Sequence, residues 1–230
     1  MNKLNDPNIS LNYKTHVYSL VDDPDFNFTS STGFIHKFFE KFNKYKVAAK
    51  LLKMPKYKGR TREDLFNEWK EASNRGTNIH SELEHFVLKG TLPETIPGKF
   101  GVHWLESSVP ERCDLLSEII IYSKELKIAG MVDLLIFDPQ DNSYTLVDWK
   151  TNKKINITSY KGKTGILSAT ENVEDCNFNH YSLQLSLYRY ILENYYDLTI
   201  KNQYLIHLTD SGADSMVCPY MKETLQKMLE

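Results

Sequence analysis

Asp148, Trp149 and Lys150 close the apolar run Tyr144-Thr145-Leu146-Val147 and hold the most concentrated chemistry in the chain. Side chains alternate faces along a strand, so Asp148 and Lys150 share one face and Trp149 takes the other. Asp133 ends a similar run upstream, and His80 and Glu84 lie further upstream still. Carboxylates beside an ammonium at strand ends suit one task well: holding a hard divalent cation and a water against a phosphodiester. In that chemistry Asp133 and Asp148 bridge one or two Mg²⁺ or Mn²⁺ ions, with the Trp149 carbonyl as a candidate further ligand. Lys150 then orients or deprotonates the attacking water, or braces the scissile phosphate. Glu118, in the strand before Asp133, is a further acidic candidate.

His80 and Glu84 are four apart on an expected helix, so they share a face at the edge of the stripe made by Ile79, Leu83 and Phe86. Glu84 is placed either to serve a second metal through water or to orient His80. His85, His103 and His207 have no such company and read as structural.

The elements that must position these residues follow from the pattern. Residues to about 27 read as irregular or short extended structure, with a turn at Asp22-Asp23-Pro24-Asp25. Thr29 to Thr32 offers N-caps for a helix over about 32–53, which Pro55 ends. A second helix, about 62–73, carries Leu65, Phe66, Trp69 and Ala72 on one face. Arg75-Gly76-Thr77 breaks it, and Thr77 caps a third helix running to about Lys89. Gly90, Pro93, Pro97, Gly98 and Gly101 mark a loop. Strands are expected at about 117–123, 127–137 and 143–150, the last two joined as an antiparallel pair by Asp138–Asn142. Residues 152–178 read as a mobile polar loop, followed by a helix over about 179–195, a strand at 203–208 and a short final helix. That order describes an α+β sandwich built on a small mixed sheet flanked by helices.

Composition narrows the classes. With 230 residues, 41% of them hydrophobic, the chain can fill a real core. Its three cysteines lie far apart without a C-x-x-C, which argues against a disulfide framework, a zinc ribbon and an iron–sulfur cluster. No apolar stretch approaches a membrane span and the N-terminus lacks an apolar leader, so an intracellular, non-secreted protein is expected. Net charge is only −2, but its distribution is uneven. Between Lys37 and Arg62 stand ten basic residues, Lys41, Lys44 and Lys46 among them, against the single acid Glu40. Phe38, Phe39, Phe42, Tyr45 and Tyr57 are interleaved. A basic track carrying rings suits single-stranded nucleic acid, although Phe34, Phe38 and Phe42 also have the spacing of a core-facing stripe.

The motifs together resemble the PD-(D/E)XK nuclease superfamily in its RecB-type exonuclease branch, the group of mitochondrial genome maintenance exonucleases and related phage and viral enzymes. The matching pieces are Gly76-Thr77-Asn78-Ile79-His80 with Glu84, Ala129-Gly130-Met131-Val132-Asp133, Asp148-Trp149-Lys150, and the Q-x-x-x-Y element from Gln184 to Tyr188. The segment Phe28 to Ile35 is similar to that branch's substrate-side helix entry. Val132 stands where the superfamily's name has Pro. The resemblance implies a restriction-endonuclease-like core at 76–230 behind an N-terminal helical, basic substrate-binding region at 1–75. It makes His80 a metal ligand, directs Gln184 to Lys150 or the phosphate, and sets Tyr188 against the nucleic-acid backbone.

Arg75, just ahead of the His80 helix, is placed to meet a phosphate near a helix N-terminus. Lys153, Lys154, Lys161 and Lys163 follow the catalytic strand and are placed to clamp the strand being cut. The expected activity is a Mg²⁺- or Mn²⁺-dependent DNA exonuclease acting on single-stranded or frayed ends in replication, repair or recombination. The alternatives are an RNA endonuclease with the same metal site and a non-catalytic nucleic-acid-binding subunit.

Overall fold

A computed structural model describes residues 3–230. Apolar alternation in the middle of the chain builds a six-stranded mixed sheet. Its long strands are β4 (Asp114–Ser123), β5 (Ile128–Asp138), β6 (Ser143–Lys150) and β7 (Ile200–Thr209), with β8 (Gly212–Val217) at one edge and the two-residue β3 (Thr29–Ser30) beside the start of β5. β5 runs antiparallel to β4 and β6, whereas β6 and β7 are parallel and need a crossover. The crossover is helix α5 (Asn177–Tyr195), whose Leu185, Leu187 and Ile191 bury against Leu146, Leu135 and Leu205 of the sheet. The opposite face carries α3 (Arg62–Lys89) and α4 (Ile96–Ser108), where Ile79, Leu83, Val102 and Leu105 meet Val147, Trp149 and Ile206. The fold is α+β, as the sequence pattern indicates.

The N-terminal part adds a hairpin, β1 (Ile9–Asn12) with β2 (Val17–Leu20), and two short helices, α1 (Ser31–His36) and α2 (Lys44–Leu51). The single helix expected over 32–53 is therefore two. Ser30 caps the first and Asn43 the second, each side chain accepting a backbone N–H of its helix. Chain closure comes from α6 (Lys222–Leu229), anchored by Leu225 and Met228.

Two further expectations are corrected. The break at Arg75-Gly76-Thr77 does not exist: α3 runs unbroken from a Thr61–Asp64 capping box to Gly90, which ends it in the left-handed region at φ 68°. Thr77 donates its hydroxyl to the Ser73 carbonyl instead of capping. Gly76 is needed for close approach, since a Cβ there would stand 2.9 Å from Oγ1 of Thr151, just past the end of β6. The division expected between residues 75 and 76 falls inside this helix. The loop inferred around Pro97, Gly98 and Gly101 is α4: Thr95 caps it, Pro97 sits in its first turn, and Gly101 lets it press on Leu83.

The polar stretch 152–178 is pinned rather than loose. Ile155 and Val173 are buried, Thr164 bridges Glu174, and Ile166 donates its N–H to the Phe38 carbonyl. Among the described residues, no helix is long and apolar enough to cross a membrane.

Gly130 on β5 is wedged between α1 and α5: a Cβ there would stand 2.5 Å from Cε1 of Tyr188 and closer still to Ser31. Gly130→Ala should cost about 1–3 kcal/mol by overpacking, read as a lower urea midpoint at unchanged m-value.

Candidate active site

The site forms where β5 and β6 separate. Their ladder ends at the pair Leu134–Val147, so the next positions, Asp133 and Asp148, are the first to stand apart. β6 continues along β7 as far as the pair Lys150–His207. On its other edge, β5 pairs with β4 through Leu134–Ser117 and Val132–Ile119, which sets Glu118 opposite Asp133. Glu118 adopts φ 54°, a left-handed conformation that costs a non-glycine residue roughly 1–2 kcal/mol. The kink interrupts the alternation of faces. Leu116 packs toward α5, and so do Ile119 and Ile121 on the far side of the kink. Three acidic residues thus lie side by side across β4, β5 and β6.

Helix α3 brings the imidazole. His80 Nδ1 lies 3.5 Å from Oδ2 of Asp133, and the same carboxylate oxygen accepts the Trp149 backbone N–H at 2.9 Å. One ligand atom each from His80, Glu118 and Asp133 falls within 4.8 Å of the others. Asp148 is 2% exposed, and its Oδ2 forms an ion pair with Lys150. The ammonium of Lys150 also sits 4.7 Å from the centre of the Tyr181 ring. Trp149 points away, into the α3–α4 layer, edge-on to Trp104.

These neighbours reset one another's proton affinities. Burial works against the His80 charge, but the Asp133 carboxylate outweighs it and pushes the imidazole up to about 8. Burial would raise Asp133 as well, yet His80, Lys150 and the Trp149 N–H hold it below the usual carboxylate range. Burial, reinforced by Asp133, pushes Glu118 up to about 8. Asp148 rises to about 6, again through burial, despite the pull of Lys150. Desolvation opposes the Lys150 charge, but Asp148 and Asp133 hold its pKa above the ordinary lysine value.

The remaining expected residues divide. Glu84 lies outside the three-residue cluster, and its charge adds to the field at Glu118. Gln184 lines a cleft of about 600 Å³ together with Tyr181, His180 and Tyr160, and donates its amide to the Tyr188 hydroxyl at 2.9 Å. Tyr188 is 3% exposed and packs among core residues, so the expected contact with a nucleic-acid backbone is corrected: it supports Gln184 from beneath. Arg75 is mid-helix, not at an N-terminus, and pairs with Asp210. Lys153 and Arg60 both bind Glu68 of α3.

A second cleft, about 1120 Å³, adjoins the first through His36, Asp175, Asn177 and His180, and is lined by Lys41, Lys46 and Lys50. Lys44 lies instead over the rings of Tyr45 and Phe66. Phe42 packs on Trp69 and Tyr45 on Phe66, so these rings join α2 and the connection before it to α3 while both stay largely exposed. No motif singles out Tyr181; its place one turn before Gln184 is the available signal. No family model matches the sequence, and no curated protein does.

Glu118 and His80 both bind their proton more tightly folded than unfolded, so their contribution to stability is lost as pH rises toward and through about 8. In EDTA the urea midpoint should therefore fall between pH 6 and 8.5. Glu118→Gln should remove much of that fall; an unchanged slope would contradict the electrostatic arrangement described.

Proposed function

We propose that this chain is a metal-dependent nuclease of the PD-(D/E)XK type, hydrolysing DNA from single-stranded or frayed ends in replication, repair or recombination. The observation that carries the reading is the convergence of His80, Glu118 and Asp133 within 4.8 Å, beside the Asp148–Lys150 pair. Hard carboxylate oxygens with one imidazole, converging in a partly buried cluster, fit a divalent cation. Asp133, Asp148, His80 and Glu118 would hold it, with the imidazole favouring Mn²⁺ relative to an all-oxygen site. When bound, Mg²⁺ or Mn²⁺ supplies charge neutralisation at the phosphate oxygens and acidifies the attacking water.

The protein's own groups do the rest. Lys150, paired with Asp148 at the edge of the cluster, is placed to brace the scissile phosphate and orient the water. Its place on the Tyr181 ring sets it beside the cleft wall that Gln184 shares. Gln184, fixed by the Tyr188 hydroxyl, supplies a neutral donor to the phosphate without adding mobile charge. The Trp149 N–H keeps the Asp133 carboxylate in one orientation. The adjoining lysine-lined cleft then receives the rest of the strand by attraction to its phosphates.

Lys150→Ala and EDTA should each abolish cleavage of linear single-stranded DNA; the substitution should lower turnover by about 100-fold or more, with circular dichroism unchanged. A panel of linear and circular DNA and RNA, with and without metal, separates exonuclease from endonuclease action and DNA from RNA. Retention of wild-type rates by the lysine variant would end the mechanism. Replacing Lys41, Lys44 and Lys46 by Ala should weaken oligonucleotide binding and flatten its salt dependence by about 0.7 in log–log slope for each phosphate no longer neutralised.

A further inference from the structure

Glu40 is the only acid between Lys37 and Arg62, and it stands in the connection between α1 and α2, on the wall of the larger cleft. Its two oxygens face two lysines from separate parts of the chain. Oε1 is 3.7 Å from Nζ of Lys46 on α2, and Oε2 is paired with Nζ of Lys163 in the segment after β6. All three side chains are about half exposed or more, and all three line the cleft. An anionic group with two oxygens, held between two lysines, has the charge and the paired acceptors of a backbone phosphate. Exposed ion pairs of this kind are weak and readily exchanged for another anion.

We infer that Lys46 and Lys163 form a phosphodiester-binding subsite outside the catalytic cluster, filled by the Glu40 carboxylate until a nucleic-acid strand displaces it. The site has a defined relation to the catalytic end. Its cleft shares His36, Asp175, Asn177 and His180 with the one containing Tyr181 and Gln184, and Tyr181 carries Lys150. The two adjoining clefts thus run from Tyr181, the ring beneath the Lys150 ammonium, to Lys163. Displacement exchanges one anion for another, so the two lysines keep a counter-charge whether the strand is bound or free. The carboxylate sets a threshold: an isolated phosphate must compete with a tethered one, whereas a strand already held by Lys41 and Lys50 competes at high local concentration.

The subsite itself needs only these three residues; that its ligand is a nucleic-acid strand rests on the nuclease reading. Fluorescence anisotropy of labelled oligo-dT, in EDTA to prevent cleavage, tests both when wild type is compared with Glu40→Gln. The variant is expected to bind several-fold more tightly. Its log–log salt slope should steepen by about 0.7 for each lysine released to meet a phosphate. Adding Lys163→Gln to that variant should erase the gain. If both proteins bind the oligonucleotide, equal affinities and slopes for wild type and Glu40→Gln would overturn the subsite. In parallel, inorganic pyrophosphate should raise the melting temperature of Glu40→Gln more than that of wild type. Greater stabilisation by pyrophosphate without oligonucleotide binding would leave an anion subsite and defeat the nucleic-acid reading. No difference with either ligand would defeat the subsite alone if wild type still degraded DNA.

Discussion

Strands β5 and β6 part at the point where their two aspartates would otherwise face each other across a ladder. Everything at the site follows from that fork. A closed ladder would press the Asp133 and Asp148 carboxylates together in a dry sheet, where one of them would have to take up a proton. Opening it gives each carboxylate its own counter-group: His80 and the Trp149 N–H for Asp133, and Lys150 for Asp148. On the other edge of β5, the left-handed backbone of Glu118 brings a third acid against the first. Such strain persists only where surrounding contacts over-determine it. Here the β4–β5 pairs on both sides of Glu118 supply those contacts.

Much of this is legible in the order of residues alone. The turn Asp138–Asn142 and the period-two pattern around it fix β5 and β6 as partners, and the site carboxylates then follow from where the apolar runs stop. What the sequence conceals is the role of small residues. Gly76 reads as a helix breaker, yet its conformational penalty is only about 1 kcal/mol, and the packing of Ile79 and Leu83 carries α3 through it. Gly98 and Gly101 look like loop residues because spacing cannot reveal that Glu82 and Leu83 press against them. The i, i+4 relation of Gln184 and Tyr188 is visible, but not which of the two lies in the core. The left-handed Glu118 has no sequence signal at all, since nothing about a glutamate announces that conformation.

Aromatic residues of the basic region divide their work in a way composition cannot show. Phe39 is buried, whereas Tyr45 of α2 and Phe42 just before it pack on α3 and stay largely exposed. Lysines already lie over the rings of Tyr45 and Tyr160. Attraction in the larger cleft is therefore chiefly ionic, from charge concentrated on a chain that is slightly acidic as a whole.

The unbroken course of α3 has a metrical consequence. Glu68, which grips Arg60 and Lys153, and His80, which leans on Asp133, ride the same rod twelve residues apart, a separation of about 18 Å along its axis. A hinge at Gly76 would have let those two stations drift; a continuous helix makes their spacing a constant of the molecule. The distance between the two ion-paired stations is thus set by helical pitch, not by the play of a joint.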